Sequence, residues 1–402
     1  MKGRVHVAGI GVISAIGSSV EETMLSFRSA KSGIDKLTLF NSIHQGVLPV
    51  GEVKLDNLEL SDRVAHHPNL TRTALLGLHA AKEAVSDASI DLRKWRSGII
   101  SATTVGGMDK TENFFIDFLV DQNSGKLRDV ENHECGRSTE IIADALGVNT
   151  FISTINTACS SSVNAVALGA RLIQHDKLDV VIAGGSDALS RFTLNGFNSL
   201  MILDGEPCRP FDAGRKGLNL GEGAGFLVLI SDRVATAEGR VFSCYVNGFA
   251  NTNDAFHQTA SSPEGRGSYG AMVGALKMSG LDPGVIDYIN LHGTGTVNND
   301  LSEGTAVRRL YGQQYPALSS TKAFTGHTLG ASGGIEAVFS VLSIKEKCVF
   351  PNLRFETAIP ETGIVPQLSF ETGKSIKNVM SNSFGFGGNC SSIIFSANDA
   401  TL

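Results

Sequence analysis

The sequence predicts an α/β fold whose sheets are covered by helices on both faces, and three observations carry that expectation. Runs rich in β-branched residues alternate with amphipathic helical segments along the 402 residues. Glycine is abundant, at 45, which implies tight turns and close backbone approaches of the kind that loops make around a site. Two stretches also echo each other. A strand-like segment leads through "NTACSSS" into a helix of small and apolar residues, and "ALSSTKAFTGHTLGASGGIEAVFSVLSI" repeats that plan. Hydrophobic content of 42% over this length provides a sizeable core, in one large domain or two smaller ones.

The elements follow in order. "MKGRVHVAGIGVISAIGSS" imitates a secretory leader, but His6 and three glycines interrupt its apolar run. It reads better as a buried strand that ends in a glycine turn before the helix "SVEETMLSFRSA". "TRTALLGLHAAKEAVSDA" is the next helix, and "SGIISATTV", "DVVIAGGSDA" and "GAGFLVLI" are strands. In "LISDRVATAEGRVFSCYV" a strand ends at 230, a polar stretch follows and a new strand starts near Val241. That junction divides the chain into halves 1–235 and 236–402. The second half continues with the helix "SYGAMVGALKMSG" and the strands "DYINLHG" and "CSSIIFSA". "GRKGLNLGEGAG" lacks the ending of a phosphate loop and leads into a strand, so it reads as a turn. No stretch has the length of a transmembrane helix.

The net charge of −6 offers no footprint for nucleic acid. Cys135, Cys159, Cys208, Cys244, Cys348 and Cys390 show no paired spacing. This argues against a zinc site and a disulfide framework, and for reduced thiols in a cytoplasmic protein.

Cys159 draws attention because it opens a helix among small neighbours. The positive end of the helix dipole is expected to lower its pKa, and backbone N–H groups at such a turn can bind a developing oxyanion. The alternative is an ordinary buried cysteine. Two histidines are candidate partners. His292 lies in "NLHGTGTVNND" at the end of a strand, and His327 lies in "STKAFTGHTLGASGG" before a helix that matches the one opened by Cys159. His66, His67 and His175 sit in polar turns or on helix surfaces and read as structural or solvated. Lys322 stands five residues before His327, and Glu303 follows His292 on a helix beginning near Asp300. A buried Lys322–Glu303 pair would tune the histidines. "SNSFGFGGNCSS", residues 381 to 392, is either a mobile loop whose phenyl ring covers a pocket or an ordinary glycine turn.

With these residues placed, the sequence resembles the elongating β-ketoacyl-[acyl carrier protein] synthases of the thiolase superfamily over essentially its full length. "NTACSSS" looks like the active-site cysteine motif, "LHGTGTVNNDLSE" like the first histidine motif, "SSTKAFTGHTLGASGGIEA" like the lysine and second histidine motif, and "NSFGFGGN" like the gating loop. The resemblance implies a thiolase-like fold of two pseudo-duplicated halves in five layers, αβαβα. It implies acyl transfer from an acyl carrier protein to Cys159, with the N–H groups of Cys159 and Phe386 as the oxyanion hole. Decarboxylative Claisen condensation with a malonyl carrier protein follows, in fatty acid, polyketide or aryl polyene synthesis. His292 and His327 would stabilise the enolate, and Lys322 and Glu303 match the supporting charged pair. Thr294 and Thr296 match the threonines on the pantetheine arm, Phe384 and Phe386 match the gating phenylalanines, and Val105 falls in the acyl pocket. No metal or bound cofactor is implied, since substrates arrive on phosphopantetheine.

A homodimer is expected, or a heterodimer with a chain-length factor; no membrane partner is. A non-catalytic chain-length factor would lack the cysteine, and a thiolase would use a second one, for which Cys390 is the candidate. Met201 stands where relatives carry a basic residue for docking the carrier, in a shortened segment 195–212, and Asn389 replaces a usual threonine.

Overall fold

The computed structural model describes residues 3–65 and 70–398. Its strands are β1 (Val5–Ser14), β2 (Ile34–Lys36), β3 (Pro49–Gly51), β4 (Ser97–Ala102), β5 (Phe151–Ile155) and β6 (Val180–Asp187). They continue with β7 (Gly223–Ser231), β8 (Cys244–Asn253), β9 (Tyr288–Asn290), β10 (Ala317–Ser319), β11 (Asn378–Phe384) and β12 (Asn389–Ala397). All but the small β2–β3 pair join in one sheet of order β10-β9-β11-β12-β8-β1-β7-β6-β4-β5.

That order hides a duplication. Outward from β1, β7 is antiparallel to β1, β6 is antiparallel to β7, and β4 and β5 run parallel to β6. Outward from β8, β12, β11, β9 and β10 repeat the same directions. Among the described residues the two sets pair only through Val5↔Val246 and His6↔Tyr245. This is the internal echo of the sequence written in topology.

Side-chain alternation then sets the layers. In β6 and β7, Val181, Ala183, Leu227 and Leu229 face one buried cluster, while Val180, Ile182, Phe226 and Val228 face another. The first cluster holds two central helices, Ser161–Gln174 and Ser332–Lys345, between strands of both halves. The second lies under the outer helices Arg72–Ala88 and Cys135–Leu146. A third packs Met272, Leu276, Ala306 and Val307, from helices Arg266–Ser279 and Val297–Tyr311, on Ile289, Met380 and Ile394. The two halves of the sheet form separate layers, so the order helix, sheet, helix, sheet, helix is the five-layered arrangement, with each half covered on both faces.

The central helix Ser332–Lys345 is buried from Ser332 to Ile344, which suits a helix enclosed between the two halves of the sheet. Its approach to β7 is so close that a Cβ on Gly225 would lie 2.4 Å from the Ile335 nitrogen. Only glycine allows that contact.

Differences from the sequence reading are local. The first segment is the buried strand expected of it, with all ten residues of β1 buried. At the junction, β7 ends at Ser231, a helix occupies Asp232–Glu238, and the next strand begins at Cys244, three residues after Val241. The helix carrying Glu303 begins at Val297. His175 caps a helix in solvent, whereas His66 and His67 lie outside the described residues. Among the described residues no helix is long and apolar enough to cross a membrane.

Candidate active site

β5 hands the chain to the turn of Cys159, and Ala158 there adopts φ +53°, a left-handed conformation that costs a non-glycine residue energy. In the other half Leu329 adopts φ +54° ahead of the matching helix. With Ser161 laid on Ser332, Ala158 falls on Leu329 and Cys159 on Gly330. His327 therefore corresponds to Asn156 rather than to Cys159. The helices are equivalent, but the two functional side chains enter from different steps of the same turn.

Both reach one place. Cys159, His292 and His327 are buried, and the sulfur and one nitrogen of each ring lie within 4.8 Å of one another. The imidazoles meet edge to face, with centroids 5.4 Å apart. Each ring's tautomer is set by its surroundings. Nδ1 of His292 faces the Lys322 ammonium at 3.2 Å, and Nδ1 of His327 accepts from the Leu329 N–H at 3.0 Å. An ammonium and an amide can only donate, so both rings keep their proton on Nε2. The cleft thus meets two N–H donors, not two lone pairs, and this suits an oxyanion better than a metal ion. Burial and the Lys322 charge hold both histidines neutral: His327 falls to about 3 and His292 well below its usual value.

Lys322 is placed with the histidines, but its partner differs from the expected one. Its ammonium donates to Glu336 and, at 2.6 Å, to the carbonyl oxygen of His292. Glu303 instead accepts from the N–H groups of His292 and Gly293, at 2.9 and 2.8 Å, and from Asn382 at 3.1 Å. It fixes the backbone of His292, while Glu336 carries the counter-charge. Burial pushes both carboxyls up to about 7. The sequence did contain a signal for Glu336, because it is the only charged residue of its helix before Lys345.

The thiol also departs from expectation. Burial pushes Cys159 up to about 11, and the Phe386 N–H and the Lys322 charge pull it back only in part. The helix terminus does not make a resting thiolate. Alkylation of Cys159 by iodoacetamide is therefore expected to rise about tenfold per pH unit from pH 7 to 10. Peptide mass spectrometry would follow it, and a plateau near pH 8 would show the amides outweighing burial.

Cys159 lies where two cavities meet. An outer cleft of about 240 Å³ is lined by His292, His327, Thr294, Thr296 and Phe384, with Met201 and Lys216 at its rim. An apolar cavity of about 410 Å³ is lined by Val105, Met108, Phe192, Leu200 and Leu329. Thr294 and Thr296 join hydroxyls at 2.9 Å, and Asp300 holds the intervening Gly295 N–H. Met201 is 89% exposed, and Lys216 is a basic group at this rim that the sequence reading did not single out. Phe386 touches both cavities, and Phe384 sits beside the His292 ring. Between the two phenylalanines, Gly385 runs close to the nucleophile, since a Cβ there would stand 3.0 Å from the Cys159 nitrogen and crowd it. "GRKGLNLGEGAG" is more than a turn: it accepts the His327 N–H at Asn219 O and donates the Gly221 N–H to His327 O. Cys390 is buried with Ala271 and Phe384 and pushed up to about 12, as a structural thiol would be.

Comparisons with known proteins show which family the chain is similar to. The profile "Beta-ketoacyl synthase, N-terminal domain" matches residues 2–235, and "Beta-ketoacyl synthase, C-terminal domain" matches residues 243–356. The chain is 34% identical over 421 residues to a 3-oxoacyl-[acyl-carrier-protein] synthase 2 of Staphylococcus aureus, covering 98% of each. It is 33% identical to that of Synechocystis, again over 98% of each. Among solved structures, the ishigamide ketosynthase/chain length factor superposes with a TM-score of 0.94 at 29% identity, over 99% of this chain and 100% of that one. The ketosynthase ApeO in complex with its chain length factor ApeC from Xenorhabdus doucetiae gives 0.84 at 29%, over 98% of each. The chain belongs to the beta-ketoacyl synthase family and is an acyltransferase.

Proposed function

We propose that the chain condenses an acyl group with a malonyl unit, both delivered as phosphopantetheine thioesters of an acyl carrier protein. One observation carries the reading: two backbone amides and two imidazoles locked as Nε2–H donors surround a single sulfur. In the first half-reaction the Cys159 sulfur attacks the acyl carbonyl. The N–H groups of Cys159 and Phe386 hold the oxyanion, the donor's C–S bond breaks, and the carrier thiol leaves with the proton. The acyl chain lies in the cavity beside Val105. Malonyl carrier protein then threads its arm past Thr294 and Thr296. Loss of CO₂ leaves an enolate, to which His292 and His327 donate. Its carbon attacks the acyl-cysteine, the C–S bond to Cys159 breaks, and 3-oxoacyl carrier protein departs. Lys322 keeps the proton of His292 on Nε2, Glu303 holds its backbone, and no metal or bound cofactor takes part.

The domain division at 235/236 separates the half carrying the thiol from the half carrying both histidines. A dimer completes the acyl cavity. The helix Met108–Val120 begins at that cavity, buries none of its residues and exposes Phe115, Ile116, Leu119 and Val120. A second copy of this chain is the first choice. A chain-length factor is the alternative, on the likeness to structures of two ketosynthase and chain length factor pairs, and it would place the reaction in polyene or polyketide rather than fatty acid synthesis. Six unpaired cysteines suit the cytoplasm.

Intact mass after incubation with acyl carrier proteins of several chain lengths tests this. The expected result is a gain equal to the acyl group, discharged by malonyl carrier protein with release of the 3-oxoacyl product. No gain from any donor on folded protein would overturn the reading of a self-sufficient synthase.

A further inference from the structure

The outer cleft and the acyl cavity share three lining residues among the described ones: Cys159, Phe197 and Phe386. The sulfur is the junction, so the partition beside it is the ring pair. Those rings are nearly parallel, at 17°, with centroids 5.8 Å apart.

The two rings are held differently. Phe386 stands in a glycine-rich loop whose backbone is pinned on either side. The Gly385 N–H donates to Asn389 O at 2.8 Å, the Gly387 N–H to Gln258 O at 2.7 Å, and Asn253 to Gly387 O at 3.0 Å. These bonds fix the loop and leave the Phe386 side chain to its neighbours. Phe197 is rooted in the helix Arg191–Ser199, whose start is locked by the Ser190–Thr193 capping box, and it packs on the cluster of Val105, Leu218 and Leu329. One ring is thus anchored by a helix and the other lies against it.

We propose that Phe197 is a positioning residue that holds Phe386 across the junction and thereby shields the acyl-cysteine from the outer cleft. This rests on the function proposed above. An acyl chain must pass the ring pair to reach its cavity, and the pair must then close again. The thioester waits at the junction for the second substrate. If the partition stands open, water from the cleft adds to the thioester carbonyl. The C–S bond then breaks, the thiol regains its proton, and the free carboxylic acid leaves. The sulfur and the two oxyanion amides do not depend on Phe197, so the first acylation survives its loss.

The test compares wild type, Phe197→Leu and Phe197→Tyr. Three rates are measured: acylation by intact mass, release of free acid from the acyl-enzyme without malonyl donor, and condensation. Phe197→Leu is expected to acylate within about threefold of wild type, to hydrolyse its acyl-enzyme about tenfold faster and to condense about tenfold less per acyl-enzyme, the scale that one aromatic pair supports. Phe197→Tyr, which keeps a stackable ring, is expected to restore both. Unchanged hydrolysis and condensation in Phe197→Leu would overturn the proposal. So would an equal fall in all three rates, which marks a structural role, or a Phe197→Tyr that behaves like Phe197→Leu. A wild type that takes up no acyl group would instead count against the synthase reading itself.

Discussion

Cys159→Ala abolishes the mass gain from every acyl donor and lowers condensation by at least about 10⁴-fold, the scale of losing a covalent nucleophile. No other thiol can take over among the described residues. Cys390 is buried behind Phe384, and Cys208 faces the Lys322 carbonyl and is itself pushed up to about 11. Removing a small buried sulfur leaves a small void, so the fold survives, as a thermal melt would show. The variant also separates the two halves of the chemistry. His292 and His327 take their tautomers from Lys322 and the Leu329 amide, neither of which depends on the sulfur. Malonyl carrier protein is therefore still expected to lose CO₂ in the variant, without forming a carbon–carbon bond. An adduct that persists in Cys159→Ala would show that a different residue carries the acyl group. Loss of decarboxylation together with acylation would show that the donor pair is not independent of the thiol.

The strands and the duplication were legible because burial on two faces writes itself as β-branched runs, and because the strand–turn–helix plan recurs around Cys159 and His327. The three central residues were legible for a related reason: Cys159 opens a helix among small neighbours, and each histidine stands where a strand or short helix gives way to a polar glycine loop. The sign of the thiol's shift was not. Small neighbours around Cys159 suggested access, whereas the fold closes over it, and desolvation outweighs the nearby amides. The partner of Lys322 was missed because an ion pair between segments depends on tertiary distance. Glu303 was near in sequence to His292, yet its oxygens are spent on backbone N–H groups. Phe197 was not singled out, lying at the start of the shortened segment 195–212. Nothing in its spacing reveals that its other face meets the ring of a loop almost two hundred positions away.

Lys322→Met should show how charge and catalysis are coupled in this site. The ammonium lies in a buried cage with Glu336, the His292 carbonyl and the His292 ring, so its loss strands a carboxylate in a dry interior. The carboxyl answers by keeping a proton. Already at about 7 beside the ammonium, it rises further without it. A carboxyl raised in the folded state contributes stability that is fully present below its unfolded value, near 4.3, and lost as pH rises through the folded value. In wild type that loss is complete a little above pH 7. In Lys322→Met the decline continues, so the variant's deficit grows by about 1.4 kcal/mol per pH unit above pH 7, towards about 3–5 kcal/mol. Denaturant unfolding at pH 6, 7, 8 and 9 measures it, and a deficit that does not change with pH would break the link to Glu336. Lys322→Met/Glu336→Leu removes the stranded carboxyl, and the deficit and its pH dependence are both expected to shrink. Activity does not return with stability. Without a donor on Nδ1, His292 is free to shift its proton there, and the cleft loses one of its two N–H groups. Losing one such donor costs about 10²–10³-fold in rate, so the double variant is expected to be stable, acylated at Cys159 and poor at condensation.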